Sequence, residues 1–426
     1  MSAPIAARRT DHHLCPQHAG ENILAPNAPT ILVGGQPAAR VTDLVVCIGG
    51  PLDIIQTGEP TVLMSGQMAA RFSDGTNHGG LIDGGFPTVV IGKMTSPDKR
   101  MRLMERLRLI DAARKKAADM PNGAEKDKLN NAAQRLADNN KAVEDARLAE
   151  SVYQTEGAPE GWTRLSGDQL PPELRNSVFH DDSSGFYSDL YRSDIDGSYR
   201  LVFRGTQPET IKQWGGNDWL WGNTQGMGFG STQYNQAVDL SRQVDALYGG
   251  NLGMAGHSLG GGLASAGALA TGNPANTFNA AGIHSNSYDR YGMDASQAGN
   301  LIDAYQVDGE ILTDLQEHSA ASGLMPDAIG QKHPLNAVDM STAADGTRTY
   351  TPRPDFPTAA PVKQPEHWWQ WATKPKQTWN SLKDKVTGEI DEKKAWATEA
   401  TARHSLYTNG IEQQKDADLA TIKGML

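Results

Sequence analysis

The segment Gly256-His257-Ser258-Leu259-Gly260 spells G-x-S-x-G. A short apolar run, 252–255, precedes it and a run of small residues, 261–270, follows it. Strand, tight turn, then helix is the context in which such a serine becomes a nucleophile. The turn must be sharp for the hydroxyl to stand above a sheet edge, and glycine two residues either side keeps bulk away. A helix that starts at the serine aims its free amides at negative charge developing on an attacked carbonyl. The chemistry is acyl transfer, and it needs a base and a carboxylate to orient that base. In this arrangement they follow in the order serine, acid, histidine. The run 302–307 reads as a strand that ends in acids. Asp308, at its end, is the expected orienting acid, with Glu310 second. His318, His333, His367 and His404 lie downstream as bases to choose among, and His404 opens a final helix expected over 405–423.

A second group of residues could hold a metal. The stretch from Asp11 reads Asp-His-His-Leu-Cys-Pro-Gln-His, followed by Cys47 and by Thr76-Asn77-His78. Imidazole and thiolate are the usual zinc ligands, and four of them close a structural site. The expected set is His13, His18, Cys47 and His78, with Cys15 and His12 as neighbours that could compete. Cys15 and Cys47 are the two cysteines of the chain. A single bridge cannot frame a chain of this size, which also favours metal over disulfide.

The elements that must carry these groups fall into three parts. Pro29-Thr30-Ile31-Leu32-Val33 recurs as Pro60-Thr61-Val62-Leu63-Met64, 31 residues on, and as Pro87-Thr88-Val89-Val90-Ile91. A β-branched run ending in glycine is strand then turn. Three units too short to bury their own apolar faces predict a small all-β body built by repetition over 1–95. Residues 101–120 and 124–153 carry apolar residues at helical spacing around a Pro121-Asn122-Gly123 turn. They predict a helical connector, assigned to 96–144, either a solvated hairpin that spaces two domains or a docking site for a chaperone or spike subunit. Beyond it, 187–194 and 199–204 form a hairpin pattern around Asp196-Gly197, and 231–248 reads as a helix. The third domain is assigned to 145–426, with an insert at about 346–400. That insert is rich in proline, then in tryptophan and lysine, which suits packing or a lipid interface. The Trp214, Trp219 and Trp221 region suits a lid.

Composition bounds the function. The 426 residues suggest two or three domains at about 150 residues each. The net charge of −11 and the absence of a basic block argue against nucleic acid as a partner. No apolar stretch is long enough for a transmembrane helix, and the first residues lack the apolar region of a secretory signal.

Two resemblances sharpen this reading. The Ala38-Ala39-Arg40 and Ala69-Ala70-Arg71 segments, the Asp11 to Pro16 start and Asn77-His78-Gly79-Gly80 resemble the PAAR-repeat family over residues of about 8–94. That family forms a β cone capping the spike of type VI secretion, its apex held by zinc from three histidines and one cysteine. Leu201-Val202-Phe203-Arg204-Gly205-Thr206, upstream of Gly-His-Ser-Leu-Gly-Gly, resembles the class 3 lipases, a branch of the α/β-hydrolases. The resemblance implies Thr206 and the amide of Leu259 as oxyanion donors. It also implies Asp308 as the acid and His404, which opens a similar His-x-x-Tyr, as the base. Together the resemblances imply a PAAR cone joined through a helical connector to an α/β-hydrolase. Such an effector would leave the cell without a signal peptide and hydrolyse phospholipid in the envelope of rival cells. They imply docking on the trimeric spike, a cognate immunity protein, structural zinc and no metal in catalysis. The rival expectation is a structural adaptor whose hydrolase fold is inactive and binds lipid or protein.

Overall fold

A computed structural model describes residues 4–24, 26–154, 156–205, 232–318, 326–353 and 394–426. The Trp214 region, His367 and most of the tryptophan- and lysine-rich insert lie outside the described residues.

The repeat predicts the first part correctly. Ala28–Val33 pairs with Gln36–Ala38, and Glu59–Met64 pairs with Gln67–Ala69 in the same register. Each hairpin turns through two residues with positive φ, Gly34 and Gly35 in one and Ser65 and Gly66 in the other. Such turns match the twist of the strands they join. The third unit is split. Phe86–Val90 pairs with Ile5–Ala6, so its second half comes from the start of the chain. Ala6-Ala7-Arg8 is therefore the third copy of Ala-Ala-Arg. The arginines repeat one local contact: the amides of Arg8, Arg40 and Arg71 donate to Asp11, Asp43 and Asp74 at 2.9, 2.8 and 2.8 Å. Small apolar residues such as Ala6, Ala38, Ala69, Ile23 and Ile82 fill the interior.

Two long helices follow, α1 (Pro97–Asp119) and α2 (Ala124–Ser151). They are not a solvated spacer. Leu14 and Leu81 of the β body share one core with Leu107 and Ile110 of α1, Leu129 and Leu136 of α2, and Ile422 near the C-terminus.

The remaining described residues build an eight-stranded sheet. Seven strands lie in the order β1 (Trp162–Leu165), β2 (Phe186–Ser193), β3 (Tyr199–Phe203), β4 (Leu252–His257), β5 (Ala275–Phe278), β6 (Ile302–Val307) and β7 (Gln331–Leu335). A short strand, His180–Asp181, pairs beside β2. The first three run antiparallel, and β3 to β7 are mutually parallel. Parallel strands need crossovers, and helices supply them. Helices α3 (Thr232–Tyr248) and α4 (Leu259–Thr271) pack together on one face of the sheet. The other face is covered by α2 and by α7 (Tyr407–Met425). Ala142, Val143 and Ala146 of α2 meet Phe278, Tyr305 and Leu335 of the sheet and Tyr407 and Ile411 of α7. Between β6 and β7 lies α5 (Ile311–His318), and α6 (Lys394–Arg403) leads into α7. The boundary expected at 144 thus falls inside a helix that covers the sheet. No described helix is long and apolar enough to cross a membrane.

Candidate active site and metal centre

Ser258 stands between β4 and α4 with φ 58° and ψ −127°. That backbone region is strained for a residue with a side chain, and strain of this kind gathers at functional sites. The flanking glycines explain how the chain holds it. A Cβ on Gly256 would lie 2.2 Å from the Gly260 carbonyl oxygen, and one on Gly260 would lie 2.2 Å from that of Phe203. Neither position has room for a side chain, as the spacing predicts. The Ser258 amide donates to Phe278 of β5 at 3.0 Å, which ties the turn to the sheet. Leu259 opens α4, where the first amides have no partner within the helix.

His404 lies in the short link between α6 and α7. Its carbonyl accepts from Nε2 of His257 at 3.0 Å and from Nδ2 of Asn279 at 2.8 Å. The rings of His257 and His404 have centroids 4.5 Å apart. The backbone of His404 is therefore locked to the residue beside Ser258.

The carboxylate on this histidine is Glu310. His404 Nδ1 meets Glu310 Oε2 at 2.5 Å, and the Glu310 side chain is 0% exposed. The amides of Leu312 and Thr313, opening α5, donate to the same carboxylate at 2.9 and 2.5 Å. Burial alone would raise the Glu310 carboxyl, but the His404 ring and the Thr313 hydrogen bonds outweigh it and hold it low. Asp308, the first choice from the sequence, is exposed, and its contact here is a carbonyl that accepts from Arg403 Nη1 at 2.9 Å. The reason is local: after β6 the chain turns at Gly309, φ 64°, and two residues later α5 begins inward. His333 is engaged elsewhere. It pairs with Asp303 at 2.7 Å and stacks on Tyr305 at 4.7 Å. His318 ends α5, with its side chain outside the described part. Thr206 also lies outside the described residues.

The candidate metal ligands fall into two overlapping groups. Cys15 Sγ lies 3.8 Å from Nδ1 of both His18 and His78, and Cys47 Sγ lies 3.5 Å from His78 Nδ1. Ligands around tetrahedral zinc, at ordinary bond lengths, stand about 3.3–3.8 Å apart. These donor atoms fit such an ion. Cys15, which the sequence reading left as a competitor, joins His18, Cys47 and His78 in one group. His13 belongs to a second, overlapping group with Cys15, Cys47 and Asp53. Its Nδ1 donates to the Glu21 carbonyl at 2.8 Å, and its Nε2 lies 3.6 Å from Cys47 Sγ. His12 binds the Gly20 carbonyl instead, at 2.8 Å. Asp53 Oδ2 is buried with no hydrogen-bond partner among the described residues and sits 3.6 Å from His78 Nδ1. Burial first, then the neighbouring Cys15, pushes the Cys47 thiol up. A divalent cation reverses that preference and draws out the thiolate.

The missed signal was the phase of the repeat. Asp11, Asp43 and Asp74 occupy one position in the three units, and four residues on stand Cys15, Cys47 and His78.

Comparison with known families gives two matches. The Tle-like phospholipase domain matches residues 144–356, and the PAAR motif matches residues 15–84. Extracellular phospholipase A1 of Serratia liquefaciens is 39% identical over 210 residues, covering 48% of this chain and 62% of its own. The chain thus spans less than two thirds of that relative. Two solved structures resemble it loosely. The Rhizomucor miehei lipase propeptide complex has 13% identity and a TM-score of 0.31, over 46% of this chain and 68% of its own. An MDLA mutant from Penicillium cyclopium has 13% identity and a TM-score of 0.30, over 50% and 83%.

Proposed function

The chain belongs to the Tle-like phospholipase family and carries a PAAR motif, and from that premise we propose that it is a phospholipase delivered on the tip of the type VI spike. In this reading residues 145–426, with α2, form an α/β-hydrolase. Ser258 Oγ attacks an ester carbonyl of a membrane phospholipid. His404 Nε2 takes the serine proton and passes it to the leaving alcohol. Glu310 keeps the other proton on Nδ1 and stabilises the imidazolium. The Leu259 amide, with Thr206 as expected partner, holds the tetrahedral oxyanion. Water then releases the fatty acid by the same steps. The observation that carries the reading is the strained Ser258, whose chain neighbour His257 holds the backbone of His404, with the His404 ring paired to a buried carboxylate.

The tip supports delivery. Leu32, Leu63 and Val90 occupy one position in the three repeats and are 61, 61 and 57% exposed. Three exposed apolar side chains at equivalent repeat positions suit a trimeric partner, the spike itself. Zinc held by Cys15, His18, Cys47 and His78 would supply folding energy to a body with a small core; no catalytic step uses it. Action in the envelope of rival cells would require an immunity protein in the producer.

The test is product analysis on defined phospholipids with wild type, Ser258→Ala and His404→Ala. Fatty-acid release lost in both variants supports the reading. Release that survives Ser258→Ala would remove Ser258 as the nucleophile, and no release by wild type would leave the adaptor reading standing.

A further inference from the structure

The proposed site leaves one buried polar chain unexplained. It begins at Tyr153, just past the end of α2 (Ala124–Ser151). The Gly205 amide donates to the Tyr153 hydroxyl at 3.0 Å, and that hydroxyl lies 3.4 Å from Nδ1 of His257. On its far side, Nε2 of His257 faces the His404 carbonyl at 3.0 Å.

Donor arithmetic fixes every direction. A carbonyl only accepts, so His257 Nε2 carries the proton. Burial keeps the ring neutral, so Nδ1 is an acceptor. The Tyr153 O–H must then point at Nδ1, and its lone pairs receive the Gly205 N–H. The chain reads Gly205 to Tyr153 to His257 to His404. It joins three loops that catalysis needs in register: the exit of β3, the nucleophile turn and the base.

Gly205 is the informative end. A Cβ there would sit 2.5 Å from the Tyr153 oxygen, 2.7 Å from the His257 carbonyl oxygen and 3.2 Å from Ser258 Cβ. The backbone at 205 is wedged between the tyrosine and the nucleophile, one residue before the expected donor Thr206.

We infer that Tyr153 is a positioning residue for the hydrolase: its hydroxyl sets the backbone at Gly205 against Ser258 and, through His257, holds the His404 loop. The inference rests on the proposed Ser258 site. Tyr153 touches no reacting atom, so its effect is on the geometry of the attacked state. Losing an oxyanion donor outright costs about 10²–10³ in kcat, and a displaced donor loop costs less.

The experiment uses the full chain with p-nitrophenyl butyrate as substrate and an aryl phosphonate as serine trap. Tyr153→Phe should lower kcat roughly ten- to a hundredfold. KM should hold, phosphonate capture should slow in step with kcat, and the melting temperature should stay near wild type. His257→Gln keeps a donor for His404 and leaves the Gly205 contact, so its loss should be smaller. An unchanged kcat in Tyr153→Phe, with Ser258→Ala dead, overturns the inference and spares the site. A loss that only follows the fraction unfolded overturns it as a merely structural effect. An equal loss in His257→Gln assigns the effect to the imidazole and overturns the role of Gly205. Hydrolysis surviving in Ser258→Ala removes the site and the inference together.

Discussion

Two carboxylates follow β6, and one of them meets the histidine. Glu310 lies inward because α5 starts there and its first amides clasp the carboxylate. A charge-assisted hydrogen bond in a water-poor setting is a strong one. Glu310→Gln should therefore cost about 10³–10⁴ in kcat, as expected when the imidazole loses its orienting carboxylate. Asp308→Asn should leave kcat near wild type. Steady-state kinetics of both variants checks this, and the reverse ranking would return the role to Asp308. The sequence narrowed the acid to two positions two residues apart, but periodicity cannot say which side of a turn at Gly309 faces inward. A second residue prediction concerns pH. Burial, then the nearby His404, holds the His257 imidazole well below its ordinary 6.5. Tyr153, His404 and Tyr407 surround that ring. Below about pH 6.5 the unfolded chain takes a proton that the folded chain refuses. The His257 contribution is thus complete above that pH and declines as pH falls through it. Denaturant midpoints between about pH 7.5 and pH 5.5 should fall less steeply in His257→Gln. Equal slopes would contradict the assignment.

At the scale of elements, the connector is where sequence and structure part. Its helices were legible from spacing and from the Pro121-Asn122-Gly123 turn. Their burial was not, because α2 is rich in Lys, Asp and Asn, and its covered face is largely alanine. Ala142, Ala146 and Ala149 let the helix lie close on the sheet without looking like a core. Charges on that face are satisfied by partners far along the chain. Asp145 accepts from Arg200 Nε at 2.9 Å and from Asn276 at 2.6 Å, which no local pattern announces. Removing one partner of a buried pair costs roughly 3–5 kcal/mol. Asp145→Ala should thus destabilise the chain by about that amount in denaturant titration, and a change near zero would mean that the site is wet. The same packing predicts that a fragment of residues 145–426 is insoluble or misfolded, while residues 96–426 fold. Circular dichroism of the two fragments decides, and a well-folded shorter fragment would restore the spacer. The third copy is split, which hid that Cys15 stands at the repeat position of Cys47 and His78. A break in the chain between halves of one unit leaves no contiguous pattern to find.

Across the whole molecule, tip and hydrolase are joined by more than a linker. Asp111 of α1 accepts from the Gly20 amide at 2.8 Å, and Arg114 donates to the His18 carbonyl at 3.3 Å. The loop that carries the candidate metal ligands thus rests on a helix that belongs to the shared core. Metal analysis of the full chain should find about one divalent ion, lost in Cys15→Ser as in Cys47→Ser. Chelation should lower the melting temperature while spares of folded protein still hydrolyse ester at low temperature. Loss of hydrolysis in chelated but folded protein would bring the metal into catalysis. On the spike side, Leu63→Asp should abolish co-purification with the trimeric spike protein and leave hydrolysis intact. Binding unchanged by that substitution would move the docking face away from the repeats. The most direct measurement is fatty-acid release from phospholipid vesicles by the full chain, wild type beside Ser258→Ala. Release by the first and a loss of several orders of magnitude in the second, with both equally folded, is the expected result. Equal release by the two, or none by either, would contradict it.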